Sequence, residues 1–322
     1  MQPFDYTVIG IQINIPIPPP KTVDSDWHLV PDEKGNFYLV NVDEALINQP
    51  KTRSSNAYNY VHFELYTIHN PRERQLLYLN TPDSVRNSNY DASKPTRFVV
   101  HGWNSIGHVT DVFCEGYFED GHHNNVNFIA VNWQAIAVTF DYVAARYAVN
   151  DVGAVLAKFI DFLAQQPGND LEKFLVMGHS LGAHVAGIAG KLVTSGKLPR
   201  IIAFDPAFPL FKVDDLDDRV AIGDARLVEI IHTAAGILGF SEPLGNKSFY
   251  PNGGTTQPGC GVDLTSSCSH GRSYEYYIES INSQVGFGCY QCSSYEELLN
   301  GKCNVIGDGM VLMGGETRND HS

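Results

Sequence analysis

The chain has 322 residues, of which 43% are hydrophobic and 18% charged, a balance typical of a globular protein with a large core. Its formal net charge of -14 at pH 7 is repelled by phosphate polyanions, which argues against nucleic acid and anionic membrane surfaces as partners. Its apolar runs fall far short of the ~20 residues that span a bilayer, so we expect no transmembrane segment.

The first part of the chain is rich in proline and aspartate. We predict a loosely ordered lead-in over residues 1–55 and a single domain over residues 56–322. The apolar stretch 6–17 does not read as a signal peptide, because it carries Gln12 and Asn14, lacks a preceding basic residue and runs into three prolines. An export signal is therefore not evident in the chain itself.

Short apolar runs bounded by turn residues recur from residue 61 onward, and their length is typical of strands buried on both faces. Between them, apolar residues recur at helical spacing from Asp151 to Leu163 and predict a helix. Alternating strands and helices predict an α/β fold, a mostly parallel central sheet with helices on both faces. The predicted strands cover residues 61–68, 97–101, 127–133, 173–178, 200–204 and 228–232.

A G-x-S-x-G motif with Ser180 at its centre occupies residues 178–182. The motif alone is weak evidence, and a tight turn with an inert serine would also fit it. Its context is stronger, because a buried strand precedes it and a helix rich in alanine and glycine follows over residues 183–192. Strand, sharp turn and helix together predict a nucleophile elbow with Ser180 as the nucleophile.

A serine nucleophile needs a base, and the base needs an acid that orients it. Asp205 directly follows the strand at 200–204, so it lies at a carboxyl end of the sheet, where such folds place catalytic residues. Four other acids form a charge run that is more typical of a solvated loop. These are Asp214, Asp215, Asp217 and Asp218.

Two histidines compete for the role of base. His232 ends a predicted strand, where a histidine more often supports a site. His270 follows the other triad candidates in a predicted loop, and loops carry catalytic histidines readily. We therefore predict Ser180, Asp205 and His270 as a catalytic triad, in the chain order expected of this fold.

Acyl transfer also needs N–H groups that stabilise the oxyanion. One is expected from Leu181, the residue after the nucleophile, and the other from a loop after an earlier strand. Trp103 follows His101 and Gly102 at the end of the strand at 97–101, so it is the second candidate. The alternative is that Trp103 is an ordinary core residue.

Five of the six cysteines lie in the last fifth of the chain, and Cys114 stands apart. Such local clusters favour disulfides and an oxidising compartment. A metal site is the alternative, because Cys289 and Cys292 have C-x-x-C spacing, but a second ligand pair is missing. We expect no metal and no cofactor.

These residues together resemble the animal lipases related to pancreatic lipase, especially insect members and the phospholipase A1 branch. The likeness runs from about residue 27 to 317. It rests on HGW at 101–103, GHSLGAH at 178–184, DPA at 205–207, FYPNGG at 249–254 and CSH at 268–270.

The resemblance implies an α/β-hydrolase fold, the same triad, the same two oxyanion donors and secretion. It also implies the disulfides Cys260–Cys268 and Cys292–Cys303, and leaves open whether Cys114 and Cys289 pair. Because the chain ends soon after Cys303, we expect none of the C-terminal β-sandwich that binds colipase in pancreatic lipases. Its partners would be a lipid substrate and, transiently, a lipid interface.

In the lipases that this chain resembles, the lid lies between the two cysteines that match Cys260 and Cys268. In triacylglycerol-specific members it is long and apolar, but here it spans only residues 261–267. The second covering segment, 234–248, is also short and carries an Asn-Lys-Ser sequon at Asn246. The hypothesis is phospholipase A1 activity, with triacylglycerol lipase as the alternative. A non-catalytic lipid carrier resembling yolk proteins and an extracellular interaction protein remain as further readings.

Overall fold

The computed structural model describes residues 27–31, 37–41, 57–105, 107–118, 125–137, 141–283, 285–303 and 311–315. The strands are β1 (Trp27–Pro31), β2 (Phe37–Asn41), β3 (His62–Tyr66), β4 (Gln75–Leu77), β5 (Thr96–Val100), β6 (Asn127–Asn132), β7 (Phe174–His179), β8 (Arg200–Phe204), β9 (Leu227–Ile231), β10 (Lys247–Phe249), β11 (Phe287–Cys289) and β12 (Val311–Met313). The α-helices are α1 (Pro82–Arg86), α2 (His108–Phe118), α3 (Gln134–Ala137), α4 (Tyr142–Ala164), α5 (Leu181–Leu192), α6 (Ser267–Asn282) and α7 (Tyr295–Leu299). Short 3-10 helices cover Ala57–Asn59, Leu171–Lys173 and Pro251–Gly253.

A sheet of eight strands forms the centre of the molecule, in the order β10-β9-β8-β7-β5-β6-β3-β4. The strands from β10 to β6 are mutually parallel, and β3 and β4 join antiparallel at the far edge. Parallel strands point their carboxyl ends to one side, where ligands bind in sheets of this kind. The sheet therefore brings the ends of β5, β7 and β8 together.

Two separate apolar clusters cover the two faces of this sheet. Successive residues of a strand point to opposite faces, and Phe98 of β5 packs in one cluster while Val99 packs in the other. Helices α4 and α5 contribute to the first cluster, and α2 and α6 to the second. The predicted mostly parallel sheet with helices on both faces is confirmed.

The longest helix begins earlier than the apolar spacing predicts. We expected it from Asp151, whereas α4 begins at Tyr142, with Asp141 as its N-cap. The Oδ1 of Asp141 accepts a hydrogen bond from Ala144 N–H at 3.1 Å, which satisfies one of the unpaired donors of the first turn. The extension brings Tyr142 to the carboxyl end of the sheet.

The lead-in predicted over residues 1–55 contains a β-hairpin, so the expectation of loose order is wrong for part of it. Strands β1 and β2 pair antiparallel over five residues each. Val30 and Val40 are buried in the first apolar cluster, because the two strands cover it. The rest of the lead-in lies outside the described residues.

Two disulfides close short loops near the end of the chain. They join Cys260 to Cys268 and Cys292 to Cys303, the pairs that the resemblance implies. Because Cys292 is bonded to Cys303, a zinc site built on the C-x-x-C pair is not formed. Cys114 is buried in α2, and Cys289 is half-buried in β11.

We expect peptide mapping under non-reducing conditions to recover these two linkages. Chymotrypsin cleavage after Leu264 and after Tyr295 opens both closed loops without touching the bridges, and cleavage after Tyr290 separates Cys289 from Cys292. The linked peptides can then be distinguished by mass. A peptide that joins Cys289 to Cys303 would contradict this pairing.

Candidate active site

Ser180 lies at the sharp turn between β7 and α5, with φ 57° and ψ -122°. Positive φ is strained for a residue other than glycine, so the surrounding structure must hold it there. Two glycines make the turn possible. A Cβ on Gly178 would lie 2.0 Å from the carbonyl oxygen of Gly182, and one on Gly182 would lie 2.2 Å from that of Val100. Ser180 itself is half-buried and reachable from solvent.

Asp205 follows β8, and its side chain is fully buried. Its Oδ1 accepts hydrogen bonds from the backbone N–H groups of Thr233 at 2.8 Å and Ala234 at 3.1 Å. A Cβ on Gly239 would lie 2.4 Å from the same oxygen. The segment after β9 therefore holds this carboxylate in one orientation.

His270 lies in the first turn of α6, whereas the sequence predicted a loop. Its Nδ1 donates a hydrogen bond to the Oδ2 of Asp205 at 2.5 Å. The carbonyl of His270 accepts from Ser273 Oγ at 2.8 Å and from His179 Nε2 at 3.2 Å. The helix and the residue before Ser180 thus fix the backbone from which this imidazole projects.

Ser180 and His270 line the same cleft. Of the competing acids, Asp214, Asp215 and Asp217 are exposed, and Asp218 pairs with Arg146. The structure therefore brings together the predicted serine, histidine and aspartate, and none of the four rivals pairs with His270. The cleft is lined by Val30, Gly102, Trp103, Tyr142, His179, Ser180, Ala207, Pro209, Leu238, Ser267 and His270.

His232, the competing candidate for the base, makes contacts that stabilise the fold. Its ring stacks on Tyr250 with the ring centroids 4.3 Å apart, and its Nδ1 donates to the carbonyl of Phe240 at 2.8 Å. Burial lowers the pKa of His232 to about 4, which keeps the ring neutral near pH 7. It supports the segment that surrounds Asp205.

The two predicted oxyanion donors lie on either side of Ser180. Leu181 is the first residue of α5, and the first N–H groups of a helix have no partner within it. On the other side, a Cβ on Gly102 would lie 2.8 Å from the Cβ of Ser180, so the loop after β5 touches the nucleophile's position. Trp103 is buried, with its ring edge-on to Tyr142 at 5.3 Å.

Several lining residues had no signal in the sequence analysis. Val30 comes from the hairpin that we did not predict, and Tyr38 of the same hairpin packs edge-on to Trp103 at 4.8 Å. Tyr142 belongs to the early turns of α4. The N-cap residue Asp141, followed by an apolar position, was the signal that could have placed Tyr142 here.

Four histidines are buried in or near this region, and burial depresses the pKa of each. The pKa falls to about 4 for His101 and His232, to about 3 for His184, and well below its ordinary value for His179. Such histidines are neutral in the folded protein and charged more readily in the unfolded chain, so acid favours unfolding.

We expect stability to fall as the pH drops below the ordinary histidine pKa of 6.5. The folded pKa lies below the unfolded one, so the stabilisation is complete above about pH 6.5 and is lost progressively toward about pH 4. At about pH 5, protonation of His232 in the unfolded chain should by itself lower the free energy of unfolding by roughly 2 kcal/mol relative to neutral pH. Urea unfolding at several pH values measures this. His232→Asn should make the free energy of unfolding depend less steeply on pH, whereas His69→Asn, at an exposed histidine, should leave that dependence unchanged. Equal pH dependence in the wild type and His232→Asn would contradict the prediction.

Within the described residues, no helix combines the length and the apolar character needed to cross a membrane.

The family model described as Lipase matches residues 35–319. Human inactive pancreatic lipase-related protein 1 is 38% identical over 75% of this chain and 56% of its own length. Mouse pancreatic triacylglycerol lipase is 35% identical over 77% and 57%, and bovine pancreatic lipase-related protein 2 is 38% identical over 75% and 56%.

Among solved structures, esterase PE8 aligns with 44% of this chain and 69% of its own, at 21% identity and a TM-score of 0.33. The chain spans about half the length of the curated relatives that it matches. The family model nevertheless covers most of the chain, including every predicted triad position and every residue that lines the cleft except Val30. The chain therefore belongs to the lipase family, together with the animal pancreatic lipases.

Proposed function

We propose that this protein is a secreted serine hydrolase that cleaves lipid esters, with Ser180, His270 and Asp205 as its triad. The observation that carries the proposal is the 2.5 Å hydrogen bond between His270 Nδ1 and Asp205 Oδ2, beside a cleft that Ser180 and His270 both line. A histidine oriented by a buried carboxylate next to a serine in a strained elbow is the arrangement that acyl transfer needs.

In the proposed reaction, Ser180 Oγ attacks the ester carbonyl carbon while Nε2 of His270 takes its proton. Asp205 keeps the hydrogen of the resting imidazole on Nδ1 and stabilises the imidazolium that forms. The N–H groups of Trp103 and Leu181 stabilise the oxyanion. His270 then protonates the leaving alcohol, and a water molecule attacks the acyl-enzyme by the same steps to release the fatty acid.

Within lipid esters, we propose a phospholipid as the preferred substrate and phospholipase A1 as the activity. The loop between Cys260 and Cys268 has only seven residues and is tied to α6, because Asp263 Oδ2 accepts from Ser269 N–H at 2.7 Å. A loop so short and so anchored leaves the nucleophile accessible. An open, polar rim suits a head group whose charge must stay hydrated.

The second covering segment, 234–248, also carries polar residues. Glu242 and Asn246 lie on it, and Asn246 is exposed at the start of the edge strand β10. Its Oδ1 accepts from Val228 N–H at 2.8 Å, which leaves the amide nitrogen available to carry a glycan. Because β10 runs parallel to β9, Asn246 lies at the amino ends of these strands, so a glycan there would not lie on the rim of the cleft at the carboxyl ends.

Triacylglycerol lipase is the second candidate, and exposed side chains on the same loop favour it. Val262 and Leu264 lie two residues apart on this loop and are 87% and 86% exposed. They are suited to transient contact with a lipid interface, which a water-insoluble triacylglycerol substrate requires. Mouse pancreatic triacylglycerol lipase, one of the relatives, has this substrate in its name.

A non-catalytic role is the third candidate, because one relative is named as inactive. Family membership alone therefore does not decide whether this chain hydrolyses esters. The hydrogen-bonded pair of His270 and Asp205 beside Ser180 favours catalysis, since a lipid carrier has no need of an oriented base.

We expect the purified protein to release fatty acid from a phosphatidylcholine dispersion faster than from triolein. Both rates are measured at equal substrate concentration, below and above the concentration at which the lipids aggregate, with Ser180→Ala as the background. A strong rise at the interface with triolein preferred would contradict the phospholipase proposal and leave ester hydrolysis standing. No release from either lipid would contradict the hydrolase proposal itself.

A further inference from the structure

His101 follows β5 directly and is buried one residue before the oxyanion loop. Its Nδ1 lies 2.8 Å from the carbonyl oxygen of Gly102, which can only accept a hydrogen bond. Its Nε2 lies 3.2 Å from the backbone N–H of Trp133, which can only donate. The hydrogen of this imidazole must therefore be on Nδ1, and the ring must be neutral.

Trp133 clamps His101 from two sides. Besides the backbone bond to Nε2, the indole Nε1–H of Trp133 donates to the carbonyl of His101 at 2.8 Å. The two rings are stacked at an interplanar angle of 22°, and Trp133 is fully buried. Burial also lowers the pKa of His101 to about 4, so the neutral form persists well below pH 7. The imidazole is thus held in one orientation.

The bond from His101 fixes the peptide unit between Gly102 and Trp103. The described residues contain no cis peptide bond, and the C=O and N–H of a trans peptide point in opposite directions. With the Gly102 oxygen held toward His101, the N–H of Trp103 must face away from it. Gly102 packs against Ser180, and both line the cleft with Trp103.

We infer that His101 is a positioning residue for ester hydrolysis, because its Nδ1–H holds the carbonyl of Gly102 and thereby aims the N–H of Trp103 at the oxyanion. The inference rests on the proposed function, since an oxyanion forms only if Ser180 attacks an ester. His101 does not touch the substrate. A loss of aim weakens an interaction made in the transition state, so it lowers kcat and leaves KM nearly unchanged.

Two substitutions separate this role from a merely structural one. In His101→Asn the side-chain amide reaches the position of Nδ1 and can still donate to Gly102. In His101→Gln the amide lies one carbon further out, near Nε2, and Gly102 loses its donor. The matched control is His232→Asn, because His232 is also a buried neutral histidine that donates from Nδ1 to a backbone carbonyl.

Kinetics on a soluble p-nitrophenyl ester, with melting temperatures for each variant, test the inference. We expect His101→Gln to lose about 10- to 100-fold in kcat, below the loss for deleting an oxyanion donor outright, with KM within about twofold. We expect His101→Asn and His232→Asn to stay within about fivefold of the wild type. An equal loss of kcat in both His101 variants, or no loss in either, would overturn the inference. With Ser180→Ala inactive, the proposed function would survive that result.

A measurement on the unmodified protein covers the case in which His101→Gln does not fold. NMR of protein labelled with ¹⁵N-histidine identifies which ring nitrogen carries the hydrogen. A His101 resonance protonated at Nδ1 supports the inference, and protonation at Nε2 would overturn it, whatever the activity. A wild type that hydrolyses no ester, with His101 protonated at Nδ1, would instead overturn the proposed function and with it the positioning role of His101.

Discussion

Replacing Ser180 with alanine should abolish hydrolysis of every ester that the wild type cleaves, while the protein stays folded. The substitution removes one oxygen from a half-buried side chain, and the elbow conformation depends on the neighbouring glycines rather than on the hydroxyl. Without that oxygen no acyl-enzyme can form, and loss of a triad member lowers kcat by roughly 10⁴-fold or more. Turnover on a soluble ester and the melting temperature are the two measurements.

The control for this variant is Ser195→Ala, which changes an exposed serine beyond the far end of α5. It should leave turnover unchanged. If purified Ser180→Ala keeps the wild-type rate, Ser180 is not the nucleophile, and the proposed serine hydrolase mechanism is wrong.

Replacing His270 with alanine should lower kcat about as far as the serine substitution, because members of a triad act as a unit. His270 is the histidine that donates to Asp205. Replacing His232 with alanine should instead reduce stability more than turnover, because it removes a ring stacked on Tyr250 and a hydrogen bond to Phe240. Thermal melts and turnover of the two variants form a matched pair.

The opposite behaviour of the two histidine variants would contradict this prediction. A well-folded, inactive His232→Ala beside an active His270→Ala would transfer the role of base to His232. The geometry argues against that, since the Nδ1 of His232 is already engaged by a carbonyl and not by a carboxylate.

The sequence predicted the parts of this fold that follow one simple pattern. The strand at 200–204 matches β8 in both bounds, because a buried parallel strand is a continuous apolar run. The elbow was equally readable, since only glycine fits at positions 178 and 182. The order of serine, acid and histidine then follows from the topology of the sheet.

Other features depend on tertiary contacts that no local pattern reveals. Helix α4 begins nine residues before its regular apolar spacing, in a stretch that buries Arg146. That side chain is held by the carbonyl of Leu210 at 3.0 Å and by Asp218, both more than 60 residues away in sequence. The buried charge of Arg146 interrupts the apolar spacing, so the helical pattern is regular only from Asp151 onward.

The position of His270 was misread for a related reason. Residues 266–273 contain four serines and a glycine, which are poor helix formers, so they predict a loop. The structure makes them the start of α6, where Asp263 Oδ2 accepts from Ser269 N–H and the bridge from Cys260 reaches Cys268. The hairpin of β1 and β2 was missed because two short strands are stable only against the core they cover.

The most direct test of the central claim is covalent labelling with a fluorophosphonate, followed by mass spectrometry of the digested protein. Such a probe reacts with a serine whose hydroxyl is activated by a neighbouring base, and its phosphonyl oxygen occupies the oxyanion site. We predict one label per chain, on Ser180, and none in His270→Ala. Absence of label from the folded wild type, or label on a different serine, would contradict the account.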